Sequence, residues 1–178
     1  VSPPARIEAS WLTIAAGVFF AALLVAFGVY QPALDGPFVL DDLYLHFGRT
    51  DADQIGLSAW MAGRPLTGLS YYANYVMSGQ SPGAYHVTNV FLHAGVAALV
   101  FFIVRRALVF VAPVPEGWPP NLIAALCATV FLLHPIQTEA VAYVAGRSDV
   151  LSTLFAYGAL AVFLNCRRPA IGMGAVAV

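Results

Sequence analysis

The chain alternates long uncharged runs with short polar segments, and the runs have lengths that a bilayer sets. A helix needs about 20 apolar residues to cross the hydrocarbon core. Residues 11–29 form such a run without a charge. Residues 87–104 form a second, stopped by Arg105 and Arg106. Residues 121–133 form a third, short one, which can be extended backwards through 109–114 or forwards past Pro135. Residues 150–164 form a fourth, stopped by Arg167 and Arg168. A fifth run begins at residues 170–178, too short to span, so the chain reads as part of a longer protein. The first run lacks a convincing cleavage site and is too long for a signal-peptide core, and it reads as a retained anchor. The pattern predicts an all-α polytopic membrane protein with four to five transmembrane helices.

Arginines set the orientation. If four spans alternate, Arg6, the Arg105/Arg106 pair and the Arg167/Arg168 pair share one side, which is cytoplasmic by the positive-inside rule. The segments 30–86 and 134–149 then face outward. They hold Asp35, Asp41, Asp42, Asp51, Asp53, Glu139 and Asp149, together with Arg49, Arg64 and Arg147. The first outer segment alternates turn signals, Gly36-Pro37 and Ser81-Pro82-Gly83, with apolar and tyrosine-rich stretches. Residues 66–77, "LTGLSYYANYVM", predict a helix lying in the interface with Tyr71, Tyr72 and Tyr75 at headgroup level. No internal repeat is visible.

Composition agrees with a membrane protein. The chain is 60% hydrophobic and 10% charged, with a mean hydropathy of +0.79, whereas a soluble domain carries about a quarter charged residues. A net charge of −1 leaves no basic footprint for nucleic acid. Cys127 lies in an apolar run and Cys166 abuts an arginine pair, so neither reads as half of a disulfide framework. No CxxC or His/Cys cluster suggests zinc.

Four constellations carry possible chemistry. Asp41 and Asp42 are adjacent acids at a membrane edge, where repulsion and burial raise the pKa of at least one and make a general base for a hydroxyl. The dipeptide alone favours another reading, a solvated loop turn plus a helix N-cap. His86, Asn89 and His93 are spaced i, i+3, i+7 and share a helix face. They either line a substrate cavity or hydrogen-bond between helices; the two histidines stand too far apart, with no third ligand, to favour a metal. In "HPIQTEAVAYVAGRSD", His134 to Asp149, Pro135 ends or kinks the third span. A helix over 138–145 would bring Glu139, Tyr143 and Arg147 to about one face, with Gly146 as its stop and Ser148 as the next N-cap. Arg147 beside a helix N-terminus suits a phosphate, or else it pairs with Asp149 or Glu139 to shape the loop. Arg64, before Pro65, either snorkels to lipid headgroups or holds a donor phosphate.

In order and spacing, "FVLDD", "RPLTGLSYYANY", "YHVTNVFLHAGVAALVFFIV" and "LLHPIQTEAVAYVAGRSDVLSTLF" resemble the membrane region of the TMTC protein O-mannosyltransferases and their bacterial relatives, over roughly residues 30–165. These are GT-C-class enzymes that carry tetratricopeptide repeats after the membrane domain. The resemblance implies that residues 1–178 are the N-terminal part of one GT-C-type module, without the repeats and with too few spans to act alone. It implies a membrane glycosyltransferase that moves a sugar from a polyprenyl phosphate to an outward-facing acceptor hydroxyl, on protein Ser/Thr or a glycan, by inverting single displacement. Asp41 or Asp42 takes the catalytic-base role, with Asp41 preferred. Arg147 first and Arg64 second are candidates for the donor phosphate. Glu139, Asp149, His86, Asn89, His93 and His134 are supporting residues. The expectation is no cofactor and no divalent metal, because a monophosphate donor has little charge to neutralise. A non-catalytic scaffold of the same fold is the alternative, with its acids pointing away from any cavity; a transporter is disfavoured because the charges gather outside the midplane. The Ala/Gly/Val-rich composition and the lack of Asn-x-Ser/Thr sites in the outer segments favour a bacterial inner membrane over the endoplasmic reticulum.

Overall fold

The computed structural model describes residues 11–111 and 119–165, and its regular elements are all helical. Arg6, Cys166, Arg167, Arg168 and the 170–178 run lie outside the described residues. Helix α1 (Trp11–Leu34) continues five residues past its sequence-predicted end at Val29. Two short helices follow, α2 (Leu57–Trp60) and α3 (Pro65–Ser78). Helix α4 (Pro82–Val111) has 30 residues and takes up positions 109–111, which the sequence had offered to the third span. Helix α5 (Pro120–Leu133) has 14 residues, about 21 Å of rise. It stops at His134, since a residue before proline is driven out of the α region. Helix α6 (Gln137–Ala142) and helix α7 (Arg147–Asn165) complete the described chain. Three segments are long and apolar enough to cross a membrane, Thr13–Leu34, Pro82–Leu108 and Val144–Leu164, and α5 is a shorter apolar helix. The protein is an all-α multi-span membrane protein.

Helix α4 is the centre, with α1, α5 and α7 packed around it. Ala26 of α1, Ala94 and Ala97 of α4 and Leu132 of α5 are buried where three of them meet. Small side chains let helix backbones approach closely, which is how association works when lipid is as apolar as leucine. The outward faces of α1 and α7 keep Phe20, Leu24, Val162 and Phe163 exposed, as lipid-facing surfaces do.

The arginine end of the bundle is closed by polar contacts. Arg105 Nε donates to Asn121 Oδ1 at 2.8 Å, and Arg106 Nε donates to the Leu164 carbonyl at 2.9 Å. The end of α4, the start of α5 and the end of α7 therefore lie together, as alternating spans require. This is the end that the positive-inside rule assigns to the cytoplasm.

The opposite end carries a second core built from the first outer segment. Phe47, Trp60, Tyr71, Tyr85 and Val144 are buried together. This corrects the interfacial reading of the tyrosines. Helix α3 forms where expected, but Tyr71 is buried and donates to the Val144 carbonyl at 2.9 Å. Tyr75 donates to Asp53, and its ring and that of Tyr72 pack on Trp60. The face that stays exposed is aliphatic: Leu66, Leu69, Val76 and Met77. The phenols turn inward because acceptors and aromatic partners from other segments wait there.

Gly68 lets α3 reach this core. A Cβ at this position would lie 1.7 Å from the Trp60 carbonyl oxygen. Gly68→Ala is expected to destabilise the protein by about 3 kcal/mol or more, since backbone must move. Gly17→Ala, with open space around its α-carbon, is expected to cost nothing. Thermal unfolding in detergent, followed by circular dichroism, reads the difference.

Candidate active site on the outer face

Arg147 organises the outer end of the bundle. It is the first residue of α7 and is fully buried. Nε donates to Asn89 Oδ1 at 2.7 Å. One terminal nitrogen donates to Asn74 Oδ1 at 2.6 Å and to Ser70, and the other to the Tyr85 carbonyl at 3.1 Å. The guanidinium stacks 4.6 Å from the Tyr71 ring centroid. All three nitrogens are thus committed to neutral protein acceptors, and neither Glu139 nor Asp149 is among them. Preferred from the sequence for a donor phosphate, Arg147 is turned inward and is not among the residues lining the outer cavity described below.

The helix expected over 138–145 does not form as one piece. Helix α6 ends at Ala142, Tyr143 is extended, and Val144–Gly146 makes a 3₁₀ turn before α7 begins at Arg147. Glu139 and Arg147 therefore do not share a helix face. Ser148 is the second residue of α7 rather than its cap. The break has a cause in packing: Asn89 Nδ2 donates to the carbonyls of Val141 and Tyr143, both at 3.2 Å.

The two acids divide. Asp42 is fully buried, and its carboxylate accepts the Ala145 N–H at 2.7 Å and the Val39 N–H at 3.2 Å. Burial pushes its pKa up, while the Val39, Ala145 and Val144 N–H groups and the nearby His86 pull against that shift. Asp42 thus clamps the first outer segment, at the 3₁₀ turn Leu40–Tyr44, to the start of α7. Asp41, one residue earlier, has an exposed side chain. Its backbone N–H donates to the Tyr143 hydroxyl at 2.9 Å. Leu40 precedes it with φ of 51°, a left-handed conformation uncommon outside glycine.

Asp41 opens onto a cavity of about 540 Å³, whose wall also carries Arg64, Glu139, Tyr143, Ser148 and Asp149. Arg64 donates to Ser148 Oγ at 2.9 Å, and Ser148 Oγ reaches Asp149 Oδ1 at 3.4 Å. Of the candidates, then, Asp41, Arg64, Glu139 and Asp149 come together on one wall. His86, Asn89 and His93 do not join them. His86 Nε2 lies 3.2 Å from the Gly36 carbonyl and His93 Nε2 lies 3.2 Å from the Leu132 carbonyl. A carbonyl only accepts, so each ring donates from Nε2, and the two histidines tie α4 to its neighbours. His134 is exposed, and its Nδ1 accepts the Ile136 N–H at 3.2 Å. Sequence reasoning missed His46 and Trp60 on the cavity wall. A single histidine and a single tryptophan in loops have no spacing that marks them. Tyr143 had been seen only as a neighbour of Glu139.

Comparisons with known proteins bear on this site. The chain is 38% identical over 96 residues to the human protein O-mannosyl-transferase TMTC4, covering 52% of this chain and 13% of that protein. It is 34% identical over 105 residues to human TMTC3 (59% and 10%). It is 38% identical over 106 residues to Tmtc1 of Drosophila melanogaster (59% and 11%). Over about half its length, the chain is similar to the TMTC protein O-mannosyl-transferases. The resemblance read from the ordered motifs holds. The chain spans about a tenth of the length of the curated relatives it matches. No family model and no solved structure matches it.

Clamp and cavity residues are expected to separate in stability. Arg147→Met strands the Asn89 and Asn74 acceptors, and Asp42→Ala strands two N–H groups, each at a cost of about 2–4 kcal/mol. Asp41→Asn and Arg64→Gln, both at exposed side chains, are expected to stay within about 0.5 kcal/mol of wild type. Thermal unfolding of the four variants in detergent checks this.

Proposed function

We propose that this outer cavity is part of the active site of a membrane glycosyltransferase that moves a mannosyl group from a polyprenyl phosphate to a protein Ser/Thr hydroxyl. The observation that carries the reading is that Asp41 and Arg64 share one cavity at the non-cytoplasmic end of the bundle. A lipid-linked donor keeps its tail in the bilayer and projects its sugar at that level. The relatives are named protein O-mannosyl-transferases, which supports mannose as the sugar and a protein as the acceptor.

In this reading the acceptor oxygen attacks the anomeric carbon and its proton passes to the Asp41 carboxylate. The bond from that carbon to the phosphate oxygen breaks, and polyprenyl phosphate leaves. One displacement inverts the anomeric centre. Negative charge grows on the leaving phosphate, and a guanidinium already in place lowers the barrier. Arg64 takes that role in place of Arg147. Ser148 holds Arg64 by its hydroxyl, and Asp149 sits behind Ser148. The segment leading into α7, with Ala145 and Gly146 on the same wall, adds the positive end of a helix dipole. Tyr143, bonded to the Asp41 backbone, fixes the base relative to that helix. A single phosphate carries modest charge, so the reaction is proposed to run without a divalent metal.

A non-catalytic scaffold would turn its acids away from any cavity. The exposed carboxylates of Asp41, Glu139 and Asp149 on one wall weigh against that reading. The relatives compared come from animals, which supports the endoplasmic reticulum over the bacterial inner membrane suggested by composition.

Asp41→Asn in the complete protein is expected to lower kcat about 10²–10⁴-fold, the usual worth of a general base. Arg64→Gln is expected to cost about 10²–10³-fold, as removal of one charge-stabilising donor does. A transfer assay with polyprenyl phosphate mannose and an acceptor peptide reads both. Full activity of Asp41→Asn would overturn the base assignment.

A further inference from the structure

Two polar atoms in residues of the cavity wall are buried without a hydrogen-bond partner: His46 Nδ1 and Trp60 Nε1. Trp60 is only 3% exposed, so its N–H has no recourse to bulk water. The chemistry of each atom follows from its neighbours. His46 Nε2 lies 3.1 Å from the Ala59 carbonyl oxygen. That oxygen only accepts, so Nε2 carries a proton, and in the neutral ring Nδ1 is then an acceptor. An indole N–H only donates. The two rings meet edge to face with centroids 5.3 Å apart. An unsatisfied acceptor on one ring and an unsatisfied donor on its neighbour together complement a hydroxyl, which gives one hydrogen bond and takes one.

Their places in the chain narrow which hydroxyl. His46 lies five residues after Asp41, and Trp60 four residues before Arg64, and all four line the same cavity. A donor whose phosphate meets Arg64 would have its sugar in the cavity that these two rings line. The Trp60 ring is held by Tyr72 and Tyr75, with centroids at 5.7 and 5.3 Å, so the N–H direction is set in advance. Both orphan atoms are covered in the empty cavity, and reaching them requires the one-turn helix α2 to give slightly. Gly63 beyond it has φ of 77° and open space about its α-carbon, which leaves that corner room to shift.

We propose that His46 and Trp60 form a hydroxyl-binding subsite for the sugar of the lipid-linked donor: Trp60 Nε1–H donates to a sugar hydroxyl oxygen, and that hydroxyl donates to His46 Nδ1. The subsite deepens the donor reading above and rests on it. It makes the pair a determinant of sugar specificity.

The test measures binding of polyprenyl phosphate mannose and of polyprenyl phosphate alone to the complete protein in lipid nanodiscs. Trp60→Phe keeps an aromatic ring and removes the N–H. It is expected to weaken the mannosyl lipid about tenfold, the worth of roughly one hydrogen bond, and to leave the bare lipid phosphate unchanged. Among lipid donors bearing singly deoxygenated mannose, one is expected to lose about tenfold on wild type and nothing further on Trp60→Phe. That comparison keeps the test valid if a His46 variant fails to fold. Equal weakening of both lipids, or no deoxy sugar that separates wild type from variant, overturns the subsite while leaving the donor reading standing. A raised KM for the acceptor peptide with unchanged donor binding assigns the hydroxyl to the acceptor and overturns the sugar assignment. Failure of wild type to bind either lipid overturns the donor reading and the subsite together.

Discussion

A buried guanidinium must find an acceptor for its nitrogens, and the outer half of this protein is arranged around that requirement. Arg147 draws Ser70 and Asn74 from α3, Tyr85 and Asn89 from α4, and the Tyr71 ring into one cluster. Each of those groups has few other options once buried. Asn89 also spends its amide on the carbonyls of Val141 in α6 and Tyr143 just past it, where α6 stops and the chain turns. Breaking such a network leaves several polar groups unpaired at once, so it behaves as a unit. The fold holds a charge inside without a directly bonded carboxylate because neutral dipoles converge on it.

The cavity exists because this cluster takes the other charges out of competition. Asp42 and Arg147 serve as struts, which leaves Asp41 and Arg64 at the surface with their side chains available. Asp42 binds the backbone of Ala145, two residues before Arg147, so both struts act on the same short segment. The loop that carries Asp41 is thereby held against the start of α7. Precision at such a site comes from supports that are themselves locked. The base candidate lies in a loop, yet its backbone is tied to Tyr143 and its neighbour to Ala145.

The bilayer imposes a different economy on the rest of the chain. Within the spans, Ala26, Ala94 and Ala97 let the helices approach among larger residues such as Tyr30, Val90 and Leu132, since no hydrophobic gain distinguishes a neighbouring helix from lipid. The polar exceptions, Asn89 and His93, face α4's partners and are bonded to backbone carbonyls. The first outer segment instead folds as a small unit with Phe47, Trp60, Tyr71 and Tyr85 in its core. Its tyrosines illustrate the difference. A tyrosine-rich amphipathic stretch reads as a membrane-surface belt when only period and composition are visible. In the fold, those rings are wanted by the core and their hydroxyls by the Val144 carbonyl and Asp53.

The sequence by itself determined what the bilayer and the local chain dictate. Run lengths and arginine placement gave the spans and their alternation. Pro65, Pro82 and Pro135 gave the helix starts and breaks, and an ordered set of motifs gave the kinship. It also gathered the acids with Arg64 and Arg147 at the end opposite Arg105 and Arg106, because that depends only on counting crossings. What it left open was which member of each pair does what. Asp41 and Asp42 differ by one position, and nothing local says which will meet the Ala145 amide 103 residues away. Arg64 and Arg147 are both loop arginines near helix starts, and only packing of α3 against α4 buries one of them. His46 and Trp60 carry no periodic signal at all. Those choices are made by contacts between distant segments, where burial and hydrogen-bond satisfaction decide, and such contacts exist only once the helices have packed.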